Sequence, residues 1–521
     1  MPKVTKDKII FDAEDWLSGV DYLRVSRDFQ KGLSGLSFVE SFDPIRNFGY
    51  AAPGALPTDA TNISSVTGML LNAVVQNSDA YALSNDGKIH HITNITGSST
   101  TVDTGAPFPK TIAGVSPVGS DCLKYYVGST EYFFYSYSTT TFWDVGRYDF
   151  AATFSDTYMS VTAATPLANP YRAGGKGFPH PMIVGDNNIL YMGDRNYVHA
   201  FNGQNGASGT FSANVLDLPN GFIISSFANY KQFLAIAAYK NNSSSSFNYL
   251  SEAKVFFWDT FSDSFTFAVD LKDNYVTELF TFKDTLACFT QGSPDFLYAQ
   301  SGASGGLRLK IFDGNLFQTE KAFKAGALPI RGGVQVVNED IYFNAGGKIC
   351  SYTNLGDRYI FNELFTTSTS SGLLKIFVGG STDPVIHFSN GSGSGAGLRM
   401  YQTNYNAAGS VYSKVVEPDF QDYARGQITK VKVTYQDTVA VGGRTLSLQI
   451  ATDANGGTAI FSNKDGVTNR TEEYFYNADG TSLNIFKQLQ LYLIWGNFGS
   501  GGSSTAPIIS KVEISYQPIN I

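Results

Sequence analysis

Five histidines, four pairs of neighbouring acids and a set of aromatic-rich strands are the residues of this chain whose types could do chemistry. A metal centre needs two or three of His90, His91, His180, His199 and His387 to converge with carboxylates. His90 and His199 instead fall at one repeated position, which Cys350 fills in a third copy, so the expectation is a structural slot with no metal and no cofactor. Glycoside hydrolysis needs two acids about 5 to 10 Å apart across a cleft. Glu14 with Asp15, Asp270 with Asp273, Glu339 with Asp340 and Glu472 with Glu473 each sit in or beside a turn signal, where acids serve solvation and capping. There is no Ser-x-Asp-x-Gly-x-Thr-Trp box, no Gly-x-Ser-x-Gly elbow and no phosphate loop. No catalytic residue is expected. Trp143, Trp258 and Trp495 remain as candidates for stacking on a sugar ring, against the alternative that they pack inside the fold.

Those residues ride on a hairpin that recurs at wide intervals: SDAYALSNDGKIHHITNITG at 78–97, NNILYMGDRNYVHAFNGQNG at 187–206 and NEDIYFNAGGKICSYTNLGD at 338–357. Tyr81, Tyr191 and Tyr342 align, as do Ile89, Val198 and Ile349, and then Ile92, Phe201 and Tyr352. Such self-similarity marks stacked units, none of which can bury its apolar face alone. Units open near Gly68, Thr111, Met182, Phe222, Val276, Gly333 and Leu373, which predicts an irregular β-propeller of about seven blades over residues 61–410.

Beyond residue 411 the runs QITKVKVTYQ, RTLSLQIATD, EEYFYN, IFKQLQLYLIWGN and PIISKVEISYQP mostly alternate apolar with polar residues. That period of two puts one strand face on a core, so residues 411–521 read as a β-sandwich able to fold alone. Residues 1–60 show little alternation yet carry Trp16, Leu17, Tyr22, Phe42 and Phe48. They are expected to form an extended docking arm whose apolar side chains bury against a neighbouring subunit, or to pack on the propeller and supply a closing strand.

Composition agrees with an all-β chain: 43% hydrophobic and only 16% charged, with 30 Tyr, 40 Phe and 52 Gly. A net charge of −8 offers no basic face for phosphate neutralisation, so direct nucleic-acid recognition is not expected. No run of about 18 apolar residues is present and MPKVTKDKII is too polar for a signal peptide, so the expectation is a soluble chain made in the cytoplasm, without membrane insertion. Cys122, Cys288 and Cys350 are too widely spaced for a zinc knuckle and read as buried thiols.

The string Phe-Asp-Pro-Ile-Arg-Asn-Phe-Gly-Tyr…Pro-Gly at 42–54, the propeller, and the closing STAPIISKVEISYQP at 504–518 together resemble virion proteins of tailed bacteriophages. In the closing string the resemblance lies in Thr505, Pro507, Ile509, Val512, Ile514 and Tyr516. It implies a non-enzymatic virion component of the tail nozzle, adaptor or baseplate, assembled as a ring or symmetric cluster with copies of itself and with neighbouring tail proteins. The alternatives are a receptor-binding tail protein that contacts host-surface glycan, and then a propeller glycoside hydrolase.

Overall fold

The computed structural model describes the strands and most of the turns joining them. The longer stretches outside the described residues are 17–35, 41–54, 60–69, 108–117, 160–178, 241–251, 292–306, 323–332, 367–377, 477–484 and 497–505. Seven sheets follow one another along the chain, each beginning as an antiparallel meander. The first four-strand path is Leu70–Gln76, Asp79–Ser84, Lys88–Thr93 and Thr101–Val102, with Ala106–Pro107 also on the third strand. The second is Val118–Val127, Thr130–Ser138, Trp143–Tyr148 and Phe154–Ser155. The third is Met182–Val184, Leu190–Asp194, Tyr197–Asn202 and Thr210–Asp217. The fourth is Phe222–Tyr230, Phe233–Lys240, Ala253–Trp258 and Phe267–Asp270. The fifth is Tyr275–Phe282, Thr285–Gln291, Leu307–Phe312 and Phe317–Ala322. The sixth is Val334–Val337, Asp340–Asn344, Lys348–Leu355 and Arg358–Thr366. The seventh takes Val378–Gly379, Val385–Asn390 and Gly397–Tyr405, and its last strand is Ala55–Asp59 from the other end of the sequence.

The first strands of the first five sheets pack beside one another in turn, which is the arrangement of propeller blades. The recurring hairpin is the second and third strand of a sheet. Tyr81, Tyr191 and Tyr342 lie on second strands, and Ile89, Val198 and Ile349 lie buried on third strands. Aromatic and β-branched side chains fill the space between sheets, as where Tyr125 and Phe134 of the second sheet meet Phe201 of the third. The turns are tighter than their residue types suggest. Lys283 and Asp284 both take positive φ (46° and 58°) between paired Phe282 and Thr285, a two-residue turn built without Asn or Gly.

Residues after 411 form a sandwich as expected, but not from that segment alone. One sheet runs Lys3–Val4, Lys8–Phe11, Ile509–Ile519, Arg425–Tyr435 and Thr471–Phe475, with Ile485–Phe486 also on Arg425–Tyr435. The other runs Leu36–Glu40, Gly409–Ser413, Leu489–Gly496, Thr445–Thr452 and Thr458–Lys464. The alternation places Val431, Val433, Tyr435, Leu446, Leu448, Ile450, Val512, Ile514 and Tyr516 in the core.

Residues 3–16 therefore do not form an extended arm, and Ala55–Asp59 supplies the closing strand that the alternative reading expected. The first strand pairs of the N-terminal segment lead onto the C-terminal strand, with Ile9 opposite Ile514 and Phe11 opposite Val512. Trp16 is fully buried, stacks on Phe11 at 6.3 Å and donates its indole N–H to the Ser510 carbonyl at 3.1 Å. Trp16, which looked unpartnered within the segment, finds its partner far away in sequence (|i−j| = 494). Leu17, Tyr22, Phe42 and Phe48 lie outside the described residues. The chain divides into two compact units, Met1–Thr58 with Lys348–Thr367 and Tyr401–Ile521, and Asp59–Gly347 with Ser368–Met400.

Candidate functional site

Buried polar side chains concentrate at one end of the first five sheets, and local irregularity puts them there. The first strands of sheets one, two, four and five each shift register near their start, at Leu70/Asn72, Gly119/Asp121, Ile224/Ser226 and Val276/Glu278. A β-bulge of this kind leaves one residue unpaired and re-aims the next side chain. In three of these strands the residue after the shift is a polar side chain buried between sheets: Asn72, Asp121 and Ser226.

Asp121 joins three sheets. Its Oδ1 accepts from Asn72 Nδ2 of the first sheet at 2.6 Å and from the Cys122 N–H at 2.9 Å, while Oδ2 accepts from the Met182 N–H of the third sheet at 2.8 Å. Ser226 does the same between sheets four and five, accepting from the Leu279 N–H at 3.1 Å and donating to the Leu279 carbonyl at 3.3 Å. A buried carboxylate is tolerable only when its lone pairs are filled, and here backbone and amide donors fill them.

A second cluster sits between sheets two and three. The Trp143 ring stacks on His180 at 4.8 Å and tilts against His199 at 5.6 Å. The fully buried Asp194 lies 3.7 Å from His180 Nδ1 and 3.4 Å from the Arg195 guanidinium, and the Trp143 side chain hydrogen-bonds it. Burial pushes the Asp194 carboxyl up to about 6, against the opposing pull of Arg195 and Trp143. Burial, with Arg195 adding to it, pushes the His199 imidazole down to about 3; its Nδ1 accepts from the Asn214 N–H at 3.1 Å.

The third cluster ties the connection after the fourth sheet to the fifth. Asp273 is buried, with Arg308 Nη1 at 2.6 Å, Lys310 Nζ at 3.1 Å and the Thr290 hydroxyl at 2.5 Å. Lys310 is itself buried and also donates to the Leu271 carbonyl at 2.6 Å. In the sandwich, Glu472 accepts from the Tyr474 hydroxyl at 2.7 Å and the Tyr435 hydroxyl at 3.2 Å, and pairs with Lys464 at 2.8 Å. Lys464 belongs to the opposite sheet, so this carboxylate clips one edge of the sandwich.

The residues singled out in the sequence distribute as follows. His90, His199 and Cys350 occupy buried positions on the third strands of three sheets. His91 instead stacks on Tyr81 at 4.6 Å and meets Asp79 at 2.9 Å. Among the described residues no group of three or more His, Cys, Asp or Glu is placed to hold a metal. The three cysteines are buried thiols, and burial pushes the Cys288 thiol up. Trp143, Trp258 and Trp495 are not available to stack on a sugar. All three are buried, and the last two donate their indole N–H groups to the Ser262 carbonyl at 2.7 Å and the Pro507 carbonyl at 2.9 Å. Asp270 and Asp273 part company, the former capping the Lys272 N–H at 2.8 Å and the latter entering the ion cluster. Glu14, Asp15 and Glu339 cannot be placed among the described side chains.

Asp121, Asp194 and Lys310 carry no sequence signal of their own, because their role depends on a neighbouring sheet. One further feature was legible and went unread: an aromatic followed by Asp or Asn closes the third strand in four successive sheets, as Tyr148-Asp149, Phe201-Asn202, Trp258-Asp259 and Phe312-Asp313. Each side-chain oxygen caps N–H groups of the next turn, Ala151 and Thr153, Gln204, Phe261 and Ser262, and Asn315 and Leu316.

No family model matches the chain, and no curated protein matches it. Among solved structures it is similar to the computationally designed Ika8 protein, at 11% identity and a TM-score of 0.38, covering 67% of this chain and 100% of that one. A WD40 domain of Neurospora crassa Pan2 aligns at 11% identity and a TM-score of 0.40, over 67% of this chain and 94% of that one. A protein described as a glycoside hydrolase aligns at 8% identity and a TM-score of 0.30, over 88% of this chain and 100% of that one. Likeness at this level assigns no activity.

Proposed function

We propose that the chain is a structural component of a bacteriophage tail, in the nozzle, adaptor or baseplate, acting as a rigid scaffold between copies of itself and neighbouring tail proteins. The observation that supports this best is the use made of the polar side chains. Asp121, Ser226 and Asp273, which by type could serve chemistry, are buried and spent on joining sheets. A scaffold that transmits load gains from such directional links, since each fixes the register of one sheet against the next. The order of propeller and closing sandwich, and the sequence resemblance carried by Thr505 to Tyr516, support the tail assignment. The glycan-contacting reading loses its three tryptophans to the interior.

An antibody raised against the purified chain tests the proposal on density-gradient fractions of tailed particles from a culture that makes it. Co-sedimentation with tails, resistant to high salt, is expected. Recovery only from the particle-free fraction would sink it.

A further inference from the structure

The two ends of sheets two to five differ. Antiparallel order puts the first-to-second and third-to-fourth turns at one end of every sheet, and the remaining connections at the other. Hydrogen bonds join the first kind of end into one surface: the Gly128 N–H donates to the Gly203 carbonyl at 2.9 Å, Asn187 Nδ2 donates to Thr260 Oγ1 at 3.3 Å, and the Thr281 hydroxyl of the fifth sheet donates to the Asn229 carbonyl of the fourth at 2.8 Å. Gly203 must be glycine for this approach, because a Cβ there would meet the Tyr126 carbonyl at 2.3 Å.

Among the described residues 118–322, the large hydrophobic side chains that stand exposed are Tyr126 (48%), Phe261 (85%), Phe267 (39%) and Leu316 (56%). All four lie at this end, beside these turns. The turns that carry Phe261 and Leu316 are held in place. Asp259 Oδ1 accepts from the Phe261 N–H at 3.0 Å and the Ser262 N–H at 2.8 Å, and Asp313 Oδ1 accepts from the Asn315 and Leu316 N–H groups at 2.8 Å each. Apolar side chains on turns ordered in advance lose little entropy on binding. The charges around them are unbalanced: Asp186, Asp263 and Asp284 stand exposed against Lys231 and Lys283, while Lys124 and Glu131 neutralise each other at 3.3 Å.

We propose that this end of sheets two to five is a docking surface for a partner polypeptide that presents apolar side chains flanked by Lys or Arg. Charge complementarity selects that occupant. A second copy using the same surface would bring together two faces of the same acidic excess. The inference goes beyond the tail proposal and stands on this surface alone, so absence of the chain from particles leaves it intact.

The test is fluorescence anisotropy of the full chain with three labelled synthetic peptides, combining Lys with Phe and Leu, Glu with Phe and Leu, or Lys with Ser. The Lys/Phe/Leu peptide is expected to bind at least about tenfold more tightly than the other two, and to weaken as salt rises. A Phe261→Ser, Leu316→Ser double variant should lose about tenfold or more in affinity. The double charge reversal Asp263→Lys, Asp284→Lys, which leaves the capping carboxylates intact, should weaken binding as well and serves as the independent check if the first variant folds poorly. Equal binding of the Glu and Lys peptides, unchanged binding by both double variants, or no binding of any peptide overturns the proposal. So does self-association in sedimentation velocity that disappears with Phe261→Ser, which would make a second copy the occupant.

Discussion

The propeller sheets and the sandwich solve one problem, holding sheets together, by opposite means. Between the propeller sheets, buried polar side chains reach across: Asn72 to Asp121 to Met182, Ser226 to Leu279, and Asp273 to Lys310. In the sandwich the described interior is mostly apolar, with Ser413, Gln427 and Thr445 as its buried polar side chains and Glu472–Lys464 as a link at one edge, and the sequence ends are brought together, Ile9 and Phe11 against Ile514 and Val512. Polar links are directional and expensive to break singly, because the partner left behind stays buried. Apolar closure is non-directional, and its strength grows with the area covered. One region is therefore sensitive to single atoms, the other to loss of a segment.

The largest effect should come from removing that segment. Deleting residues 1–16 removes the fully buried Ile9, Phe11 and Trp16 and uncovers the edge of Ile509–Ile519. Each buried side chain is worth roughly 2–5 kcal/mol, so the deletion should unfold or aggregate the sandwich, and a fragment of residues 411–521 should not reach a cooperative thermal transition. A sharp melt of that fragment would show that the C-terminal strands suffice.

Asp273→Ala comes next. It strands the buried Lys310 ammonium beside Arg308 and should cost about 3–5 kcal/mol in urea unfolding, most of it recovered when Lys310→Met is added. If the double variant is as unstable as the single one, the cluster is not a balanced link.

Asp194 gives a smaller effect with a pH signature. Its folded pKa of about 6 lies above the ordinary aspartate value of 3.8, so the folded state holds the proton more tightly and stability falls as pH rises from about 4 through 6. Asp194→Asn, which keeps an acceptor for Trp143, should be more stable than the parent at pH 7.5 by an amount on the order of 2–3 kcal/mol, the difference vanishing near pH 4. His199 acts in the opposite direction. With a pKa lowered from 6.5 to about 3 it destabilises the fold as pH falls through that window, so the parent should show a flatter profile than either Asp194→Asn or His199→Phe. Urea titrations at pH 7.5 and 4.5 read both.

The smallest effect should be local. Asp259→Ala frees the N–H groups of Phe261 and Ser262 on an exposed turn. Amide exchange there should quicken while the global melting temperature stays within a degree or so. A large fall in melting temperature would mean the turn fastens its sheet to the next.

Much of the first region was legible. The unit starts at Met182, Phe222, Val276 and Gly333 fall within a residue of the first strands that begin at Met182, Phe222, Tyr275 and Val334. Period-two alternation likewise put Val431, Leu448 and Ile514 in a core before any pairing was known. The N-terminal segment was misread because its strands are short, and Lys8–Phe11 makes sense only beside a strand at the far end of the chain. The tryptophans were ambiguous for a similar reason: a Trp on a strand looks the same whether a sheet or solvent lies over it.

By itself the sequence determined most of the strands after residue 68, the repeat and the approximate limits of several sheets, since these follow from local periodicity, turn residues and side-chain shape. Tertiary structure decided between the two places expected for the first 60 residues: Ala55–Asp59 completes the seventh sheet as a closing strand, while Lys8–Phe11 completes the sandwich. It also decided which acids are buried links, as at Asp121 and Asp273, and which are caps open to water, as at the half-buried Asp259 and the exposed Asp313. Asp121 sits inside its strand and Asp273 in the connection before one, while Asp259 and Asp313 directly follow strands, and none of these local placements says whether a second sheet covers the carboxylate. The charge becomes a fastening or a turn cap only when a second sheet does or does not exclude water from it.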